Sequence, residues 1–415
     1  MNAEVISLGC RLNIAESETI RALLAGEREV VVINSCAVTA EAVRQTRQAI
    51  RKARRARPAA RLLVTGCAAE IEREQIAAMP EVDGLVPNAR KLDARSYNIP
   101  ATNSPPRPRE GGDPGPSNAA PGRSGSPPSR GRGEFQGHTR AFIAVQNGCD
   151  HACTFCVIPQ GRGPSRSLPV AEVLRETERH GASEVVLTGV DLTSWGHDLP
   201  GRPSLGSLVR TILDAFPGLS RLRLSSLDGI EIDEHLFELL AGEKRVMPHL
   251  HLSLQHGHDL ILKRMKRRHL RADAVRLVER LRARRPEIAV GADLIAGFPT
   301  EDDAMHDANL SIVRELGIVH GHVFPYSPRP DTPAARMPQL DKATIKSRAA
   351  ELRAEVAAVR DAWLADLVGT ELAVLAEADG TGHAPNFARV AVPNDAPPGT
   401  IVSVTPRTVE QGLLQ

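Results

Sequence analysis

Six cysteines, in two sets of three, are the residues best suited to chemistry. The denser set is Cys149, Cys153 and Cys156, with three and then two residues between them, inside the stretch 146–166. Three thiolates so close can hold three irons of a cubane cluster and leave the fourth iron without a protein ligand. A small molecule can bind such an iron directly. The competing reading is a zinc site with His151 as fourth ligand. His151 lies close to both neighbouring cysteines, however, and zinc ligands usually come as two separated pairs. The second set, Cys10, Cys36 and Cys67, is spread out. Each lies two residues past a short apolar run of strand length, at 4–8, 30–34 and 62–65. Helical stretches follow at 14–24, at 39–57 before Pro58, and near 71–79. The β-α repeat predicts a parallel sheet. Parallel strands put all three thiols at the carboxyl edge, where open α/β folds bind ligands. We read them as a second three-cysteine cluster site with an open iron; three unrelated buried cysteines, acting as small hydrophobes, are the alternative.

The rest of the chain must position these thiols. At 415 residues it has room for two or three domains. Its 41% hydrophobic and 25% charged content are ordinary for a globular protein. A net charge of +2 gives no global field for nucleic acid, so any such site must be a local patch. The N-terminus lacks the basic and apolar regions of a signal peptide, and no apolar run approaches a membrane span. The expectation is a cytoplasmic monomer with no membrane association. In that reducing setting, cysteines point to metal or catalysis over disulfides.

The fold class is α/β. Residues 1–97 are expected to form an open parallel α/β domain, and 98–134, rich in Pro, Gly and Ser, a disordered linker. Residues 135–368 carry a second β-α series, with strands at 141–146, 184–188, 221–225, 249–254, 289–295 and 318–324. Helices are signalled at 169–180, 204–216, 233–240, 271–284 and 301–316. This suggests a partial (β/α)6 barrel, whose chemistry sits at the carboxyl ends of the strands. Gly189 and Gly297 there could let backbone approach a small ligand. Ser225, Gln255 and Asp293 could hydrogen-bond it; each alone reads more readily as a loop or cap residue, and only the set on one face favours the ligand. Ser226 and Tyr326-Ser327 share that end. A long helix at 341–367 follows. Residues 369–415 read as a small β-barrel with strands at 371–376, 387–392 and 400–405.

Two basic runs stand out. The helix after Cys36 carries Arg44, Arg47, Arg51, Lys52, Arg54, Arg55 and Arg57. The second run, 263–269, reads KRMKRRH. Runs of like charge are often a solvated face; beside a catalytic edge, phosphate binding is the other reading.

The stretch around Cys149, Cys153 and Cys156, with Phe155 before the last cysteine and Gly161-Arg162-Gly163 after it, resembles the signature of the radical S-adenosyl-L-methionine (AdoMet) enzymes. That resemblance implies a 4Fe-4S cluster whose open iron binds AdoMet and cleaves it to a 5′-deoxyadenosyl radical. Gly9-Cys10, Asn13, Glu16-Ser17, Asn34-Ser35-Cys36 and Gly66-Cys67 are similar to the N-terminal domain of the methylthiotransferases within that group. The family implies two 4Fe-4S clusters, the second carrying the sulfur of the methylthio group. It also implies an AdoMet pocket, for which Gly189, Ser225, Gln255 and Asp293 are the candidates. The segment 263–269 resembles the family's Lys-Arg-Met-x-Arg run, which makes Arg264, Lys266 and Arg267 candidate tRNA phosphate contacts. The tail, best at Asn386-Phe387-Ala388-Arg389-Val390, is similar to the RNA-binding TRAM domain.

Within the family, Asn34-Ser35-Cys36-Ala37-Val38-Thr39, Leu187-Thr188-Gly189-Val190 and Val323-Phe324-Pro325-Tyr326-Ser327 resemble the enzymes of N6-threonylcarbamoyladenosine in tRNA. The implied reaction places a methylthio group on adenine C2, with tRNA and an electron donor protein as partners. Isopentenyladenosine in tRNA and a ribosomal-protein aspartate are the other substrates of the group. A non-catalytic RNA-binding protein with structural zinc is the alternative of a different class. Two segments depart from the family pattern. Gln255-His256-Gly257-His258 stands for the usual Gln-Ser-Gly-Ser, with the histidines expected to be polar loop residues. Gly297-Phe298-Pro299-Thr300-Glu301-Asp302 stands for Gly-Phe-Pro-Gly-Glu-Thr.

Overall fold

The structure, a computed structural model, describes residues 3–97 and 139–415. The expected linker, 98–134, lies outside the described residues. The chain opens with β1 (Glu4–Ser7), α1 (Arg11–Leu23), β2 (Val30–Ser35), α2 (Ala40–Ala56), β3 (Arg61–Gly66), α3 (Cys67–Ile71), α4 (Arg73–Ala77) and β4 (Gly84–Leu85). These strands pair in sequence order, all parallel. The β-branched run of β2 explains its place at the centre: Val31, Val32 and Ile33 are buried, as a strand covered on both faces requires. α2 starts where the Thr39 hydroxyl accepts the Ala42 amide and stops at Arg57, before Pro58.

The second series runs β5 (Arg140–Ala144), β6 (Gln146–Asn147), α5 (Ile158–Arg162), β7 (Arg166–Ser167), α6 (Val170–His180), β8 (Glu184–Thr188), α7 (Leu205–Ala215), β9 (Arg221–Leu224), α8 (Glu234–Gly242) and β10 (His249–Gln255). It continues through α9 (Asp259–Arg264), α10 (Arg271–Arg284), β11 (Ala289–Ala296), α11 (Asp303–Glu315) and β12 (Ile318–Pro325). All six expected strands are present and parallel. They form two three-stranded ladders, β5-β8-β9 and β10-β11-β12, linked by the single bridges Leu222–Val246 and Leu227–Leu252. Among the described residues no ladder pairs β5 with β12, so the wall is open. One apolar core fills it, with Leu187, Leu222, Leu252 and Val290 facing Leu208, Ile212, Leu281 and Ile312 of the helices.

The long helix α12 (Lys342–Asp366) begins where Asp341 accepts the amides of Ala343 and Thr344. It lies along β12, where a Cβ on Gly321 would stand 2.6 Å from a Val356 methyl. The tail holds β13 (Leu372–Ala376), β14 (Thr381–His383), β15 (Arg389–Ala391), β16 (Ile401–Val404), β17 (Val409–Glu410) and β18 (Leu413–Leu414). They form one mixed sheet in the order β16-β13-β14-β15-β18-β17. Two expectations need correction here. The tail is a sheet whose edges β16 and β17 share no ladder among the described residues, rather than a closed barrel. It also has six strands where the pattern showed three; β14, β17 and β18 are too short to leave a periodic signal.

Candidate active site

All six cysteines are free thiols and all six line one cavity of about 310 Å³. Cys10 precedes α1, Cys36 follows β2, and Cys67 opens α3 directly after β3. Two glycines make the cluster of thiols possible. Gly9 has φ +94°, and a Cβ there would stand 2.6 Å from Cys36 Cβ and 2.8 Å from its Sγ. Gly66 has φ +91°, and its Cβ would collide with the Ser35 carbonyl oxygen. No side chain caps the N-terminus of α1 and no acid sits in its first turn.

Cys149, Cys153 and Cys156 lie on the loop between β6 and α5. That loop is brought to the first set by α5 packing on α3: a Cβ on Gly161 would meet Cys67 Cβ at 3.4 Å. Asn88 Nδ2 donates to the Gly161 carbonyl at 2.6 Å. Arg162, at the end of α5, donates to both carboxylate oxygens of Glu16 and to Asn13 on α1, and to Asn147 on β6. Sequence reading singled out Asn13, Glu16 and Arg162 only as parts of motifs; that they bond one another shows only in three dimensions.

Burial pushes the thiols of Cys36 and Cys156 up to about 11 and that of Cys149 up to about 12. Thiols held that high keep their protons at neutral pH unless a metal cation replaces them. Two trios of thiols that line one cavity fit iron as ligands. His151 Nε2 is 2.8 Å from Asp191 and 3.1 Å from Arg268 Nη2. The hydrogen bond to Asp191 raises the His151 pKa, which disfavours the neutral ring a zinc ligand needs.

Of the candidate AdoMet contacts, Gly189, Gln255 and Asp293 line the cavity, whereas Ser225 does not and Ser226 does. Adjacent residues at a strand end face opposite sides, and the sequence could not say which serine faces in. A Cβ on Gly189 would stand 2.9 Å from Gln146 Oε1, which accepts the Val190 and Asp191 amides. Asp293 Oδ1 accepts from His251 at 3.2 Å and His322 at 3.0 Å. Burial pushes its pKa up, but these two partners outweigh burial and hold it below the usual carboxylate range. Gly297 serves packing: its Cβ would stand 2.8 Å from Ile345 of α12. Tyr326 and Ser327 line the cavity.

The two departures from the family pattern meet. His256 is fully buried, not a surface loop residue, and its Nε2 is 3.1 Å from Glu301. Glu301 also accepts the Gly297 and Phe298 amides and is gripped by Arg348. His258 accepts the Leu260 amide at the start of α9.

The candidate phosphate contacts separate. Lys266 is exposed, and Arg264 is half-buried against the Thr300 carbonyl. Arg267 turns inward, with a side chain only 7% exposed. It donates to Asp228 and the Ser253 carbonyl and reaches within 3.7 Å of Cys153 Sγ, so it is not free to meet a phosphate. On α2, Arg44, Arg47 and Arg54 pair with Glu41, Glu72 and Asp83, while Arg51, Lys52 and Arg55 are exposed outside those pairings. Phe387 of the tail stacks on His383 rather than standing free for a base. No helix of the described residues is long and apolar enough to cross a membrane.

Residues 143–310 match the radical SAM superfamily, and residues 2–87 match an uncharacterized protein family, UPF0004. A Rickettsia prowazekii protein named threonylcarbamoyladenosine tRNA methylthiotransferase MtaB is 41% identical across 100% of this chain and 97% of its own length. A Cereibacter sphaeroides protein named tRNA-2-methylthio-N6-dimethylallyladenosine synthase is 35% identical across 90% of this chain and 86% of its own. Among solved structures, the radical S-adenosylmethionine methyltransferase TsrM from Kitasatospora setae, with cobalamin and a 4Fe-4S cluster bound, has a TM-score of 0.53 at 16% identity, covering 81% of this chain and 77% of that one. That likeness speaks to the fold alone. Full-length similarity, together with the thiol-lined cavity, places the chain in the radical-SAM tRNA methylthiotransferase family, enzymes that use AdoMet and a 4Fe-4S cluster.

Proposed function

We propose that this enzyme methylthiolates C2 of N6-threonylcarbamoyladenosine in tRNA. The observation that carries the reading is that both cysteine trios line one cavity. The full-length relative named for that nucleoside supports the choice of substrate.

When bound, AdoMet on the Cys149, Cys153 and Cys156 cluster supplies a carbon radical, and a second 4Fe-4S cluster on Cys10, Cys36 and Cys67 supplies sulfur. The chain does the positioning. Gly189 leaves the cavity edge open, while Gln255 at the end of β10 and Asp293 within β11 offer polar groups to AdoMet. Arg267, beside Cys153, sets a positive charge against the first thiol set. Phe155, Val157, Ile158 and Ile295 line the cavity between these groups and keep water from a radical. Half-buried Arg264 ends α9 and exposed Lys266 follows it, on a surface suited to the tRNA backbone.

The test is mass spectrometry of tRNA nucleosides. A strain lacking the gene should lose 2-methylthio-N6-threonylcarbamoyladenosine and keep its unthiolated precursor. Anaerobically reconstituted protein should hold about eight irons per chain. Loss of a dimethylallyl-type nucleoside instead would reassign the substrate. A colourless zinc protein would end the enzymatic reading.

A further inference from the structure

We propose that His251, Asp293 and His322 form a binding site for one divalent transition-metal ion, of the zinc class, at the floor of the cavity. None of the six cysteines belongs to it.

The three residues come from three adjacent strands, β10, β11 and β12. The ladders set them side by side: Gly291 is opposite both His251 and His320, and Asp293 is opposite His322. Alternation puts them on the face away from Leu252, Ala292 and Val323, which pack under the helices. His251 Nε2 is 3.2 Å and His322 Nδ1 is 3.0 Å from the same oxygen, Asp293 Oδ1. All three atoms lie within 4.8 Å of one another. Ligand atoms about 2.0–2.2 Å from a common ion stand roughly 3.0–3.4 Å apart, so both nitrogens are already spaced from the oxygen as neighbouring ligands would be. In the metal-free chain the same distances serve as two hydrogen bonds to the carboxylate.

A second observation favours the ion. A Cβ on Gly291 would stand 2.4 Å from His251 Nδ1 and 3.2 Å from its Cε1. The ring therefore lies over a position of β11 that has no side chain, and this room lets Nε2 reach Asp293. Glycine weakens a strand interior and marks a close approach there; here the approach delivers an imidazole. The site is continuous with the cavity. Asp293 lines it, and so do Ser253 and Phe324, two residues on from His251 and His322. The His322 side chain is 58% exposed, on the strand that no ladder joins to β5 among the described residues, which gives an ion a way in. The other groups of possible ligands contain His151 and belong to the surroundings of the first thiol set. Two imidazoles and a carboxylate suit zinc or ferrous iron rather than calcium or magnesium. Three protein ligands leave a position open for water or a substrate oxygen. Coordination through Oδ1 alone leaves the second carboxylate oxygen of Asp293 for AdoMet.

The test uses full-length protein reconstituted anaerobically with its clusters, and Zn2+ as the probe, because zinc binds such ligands more tightly than ferrous iron. After equilibration with Zn2+ and gel filtration, wild type should keep about one zinc per chain with its iron unchanged. X-ray absorption at the zinc edge should show imidazole nitrogens at about 2.0–2.1 Å and no sulfur shell at about 2.3 Å. His322→Ala, a change at an exposed side chain, should lower zinc affinity by about a hundredfold or more, beyond what loss of an outer-sphere partner costs. Gly291→Ala should do the same by pushing the His251 ring off Asp293. A wild type that keeps no zinc overturns the proposal. So does a sulfur shell, which would put the zinc on thiols. Equal zinc in wild type and His322→Ala would mark adventitious binding and overturn it too. Should Gly291→Ala fail to hold its clusters, the wild-type spectrum and His322→Ala decide. None of these readouts depends on which nucleoside is modified, so their failure leaves the substrate reading standing.

Discussion

Arg162 on α5 donates to both carboxylate oxygens of Glu16 on α1, at 2.9 and 3.1 Å, across 146 residues of sequence. Lys91 holds the same carboxylate at 2.6 Å. All three side chains are at most 3% exposed. Glu16 lies less than two helical turns beyond Cys10, and Arg162 ends the short helix that follows Cys156. This buried trio therefore ties one thiol set to the other. Buried ion pairs of this kind seldom add net stability over apolar packing, but breaking one leaves an uncompensated charge inside.

Arg162→Met should accordingly destabilise the cluster-free protein by about 3–5 kcal/mol. Glu16→Gln should do comparable damage, because it strands two cations. The double variant should cost clearly less than the sum of the two, since the second change removes a charge already without its partner. Urea unfolding of the three proteins measures this. Strict additivity would show that the trio is not one unit.

The two thiol sets should fail differently. Cys153→Ala should abolish AdoMet cleavage. Cys67→Ala should spare cleavage and block methylthiolation. Product analysis for 5′-deoxyadenosine and for the thiolated nucleoside separates them, and loss of both activities in Cys67→Ala would count against distinct roles.

The basic segment 263–269 should split along the line the structure draws. Lys266→Glu should weaken tRNA binding and flatten its salt dependence by roughly one charge. Arg267→Glu should leave that slope alone and impair AdoMet cleavage, since its side chain faces Cys153 and Asp228. Binding isotherms at several salt concentrations check the first outcome, and uncoupled AdoMet cleavage the second.

Exposed Arg51, Lys52 and Arg55 lie along α2, a helix about 25 Å long that begins at Thr39 on the cavity wall. Reversing all three should raise the KM for tRNA about tenfold or more at low salt and much less at high salt. An unchanged KM at low salt would return α2 to a merely solvated face.

Asp293 should shape the acid limb of stability. Its folded pKa is held below the usual carboxylate range by His251 and His322 despite burial. It therefore contributes stability above its unfolded value of about 4, lost as pH falls through the folded value. Between neutral pH and pH 4 the melting temperature of Asp293→Asn should lie below that of wild type, and the gap should close at lower pH. A gap that persists unchanged into strong acid would refute the assignment.

In the two β-α series the main strands and helices, the parallel sheets and both thiol sets were legible in the sequence, because they rest on local pattern. Alternating β and α periods fix parallel pairing, and a cysteine just past each strand must emerge at the carboxyl edge. What needed coordinates was direction. Adjacent serines at 225 and 226 differ only in which side of the strand they face. Arg267 sits among surface-like cations in the sequence but turns inward to Asp228, and His256 leaves a polar loop to pair with Glu301. Glu16 and Arg162 are far apart along the chain, and no periodicity links them. Their meeting, and with it the common cavity, follows from α5 packing against α3 at Gly161 and Cys67. Tertiary packing decided these contacts because a buried charge takes whichever partner the fold brings near.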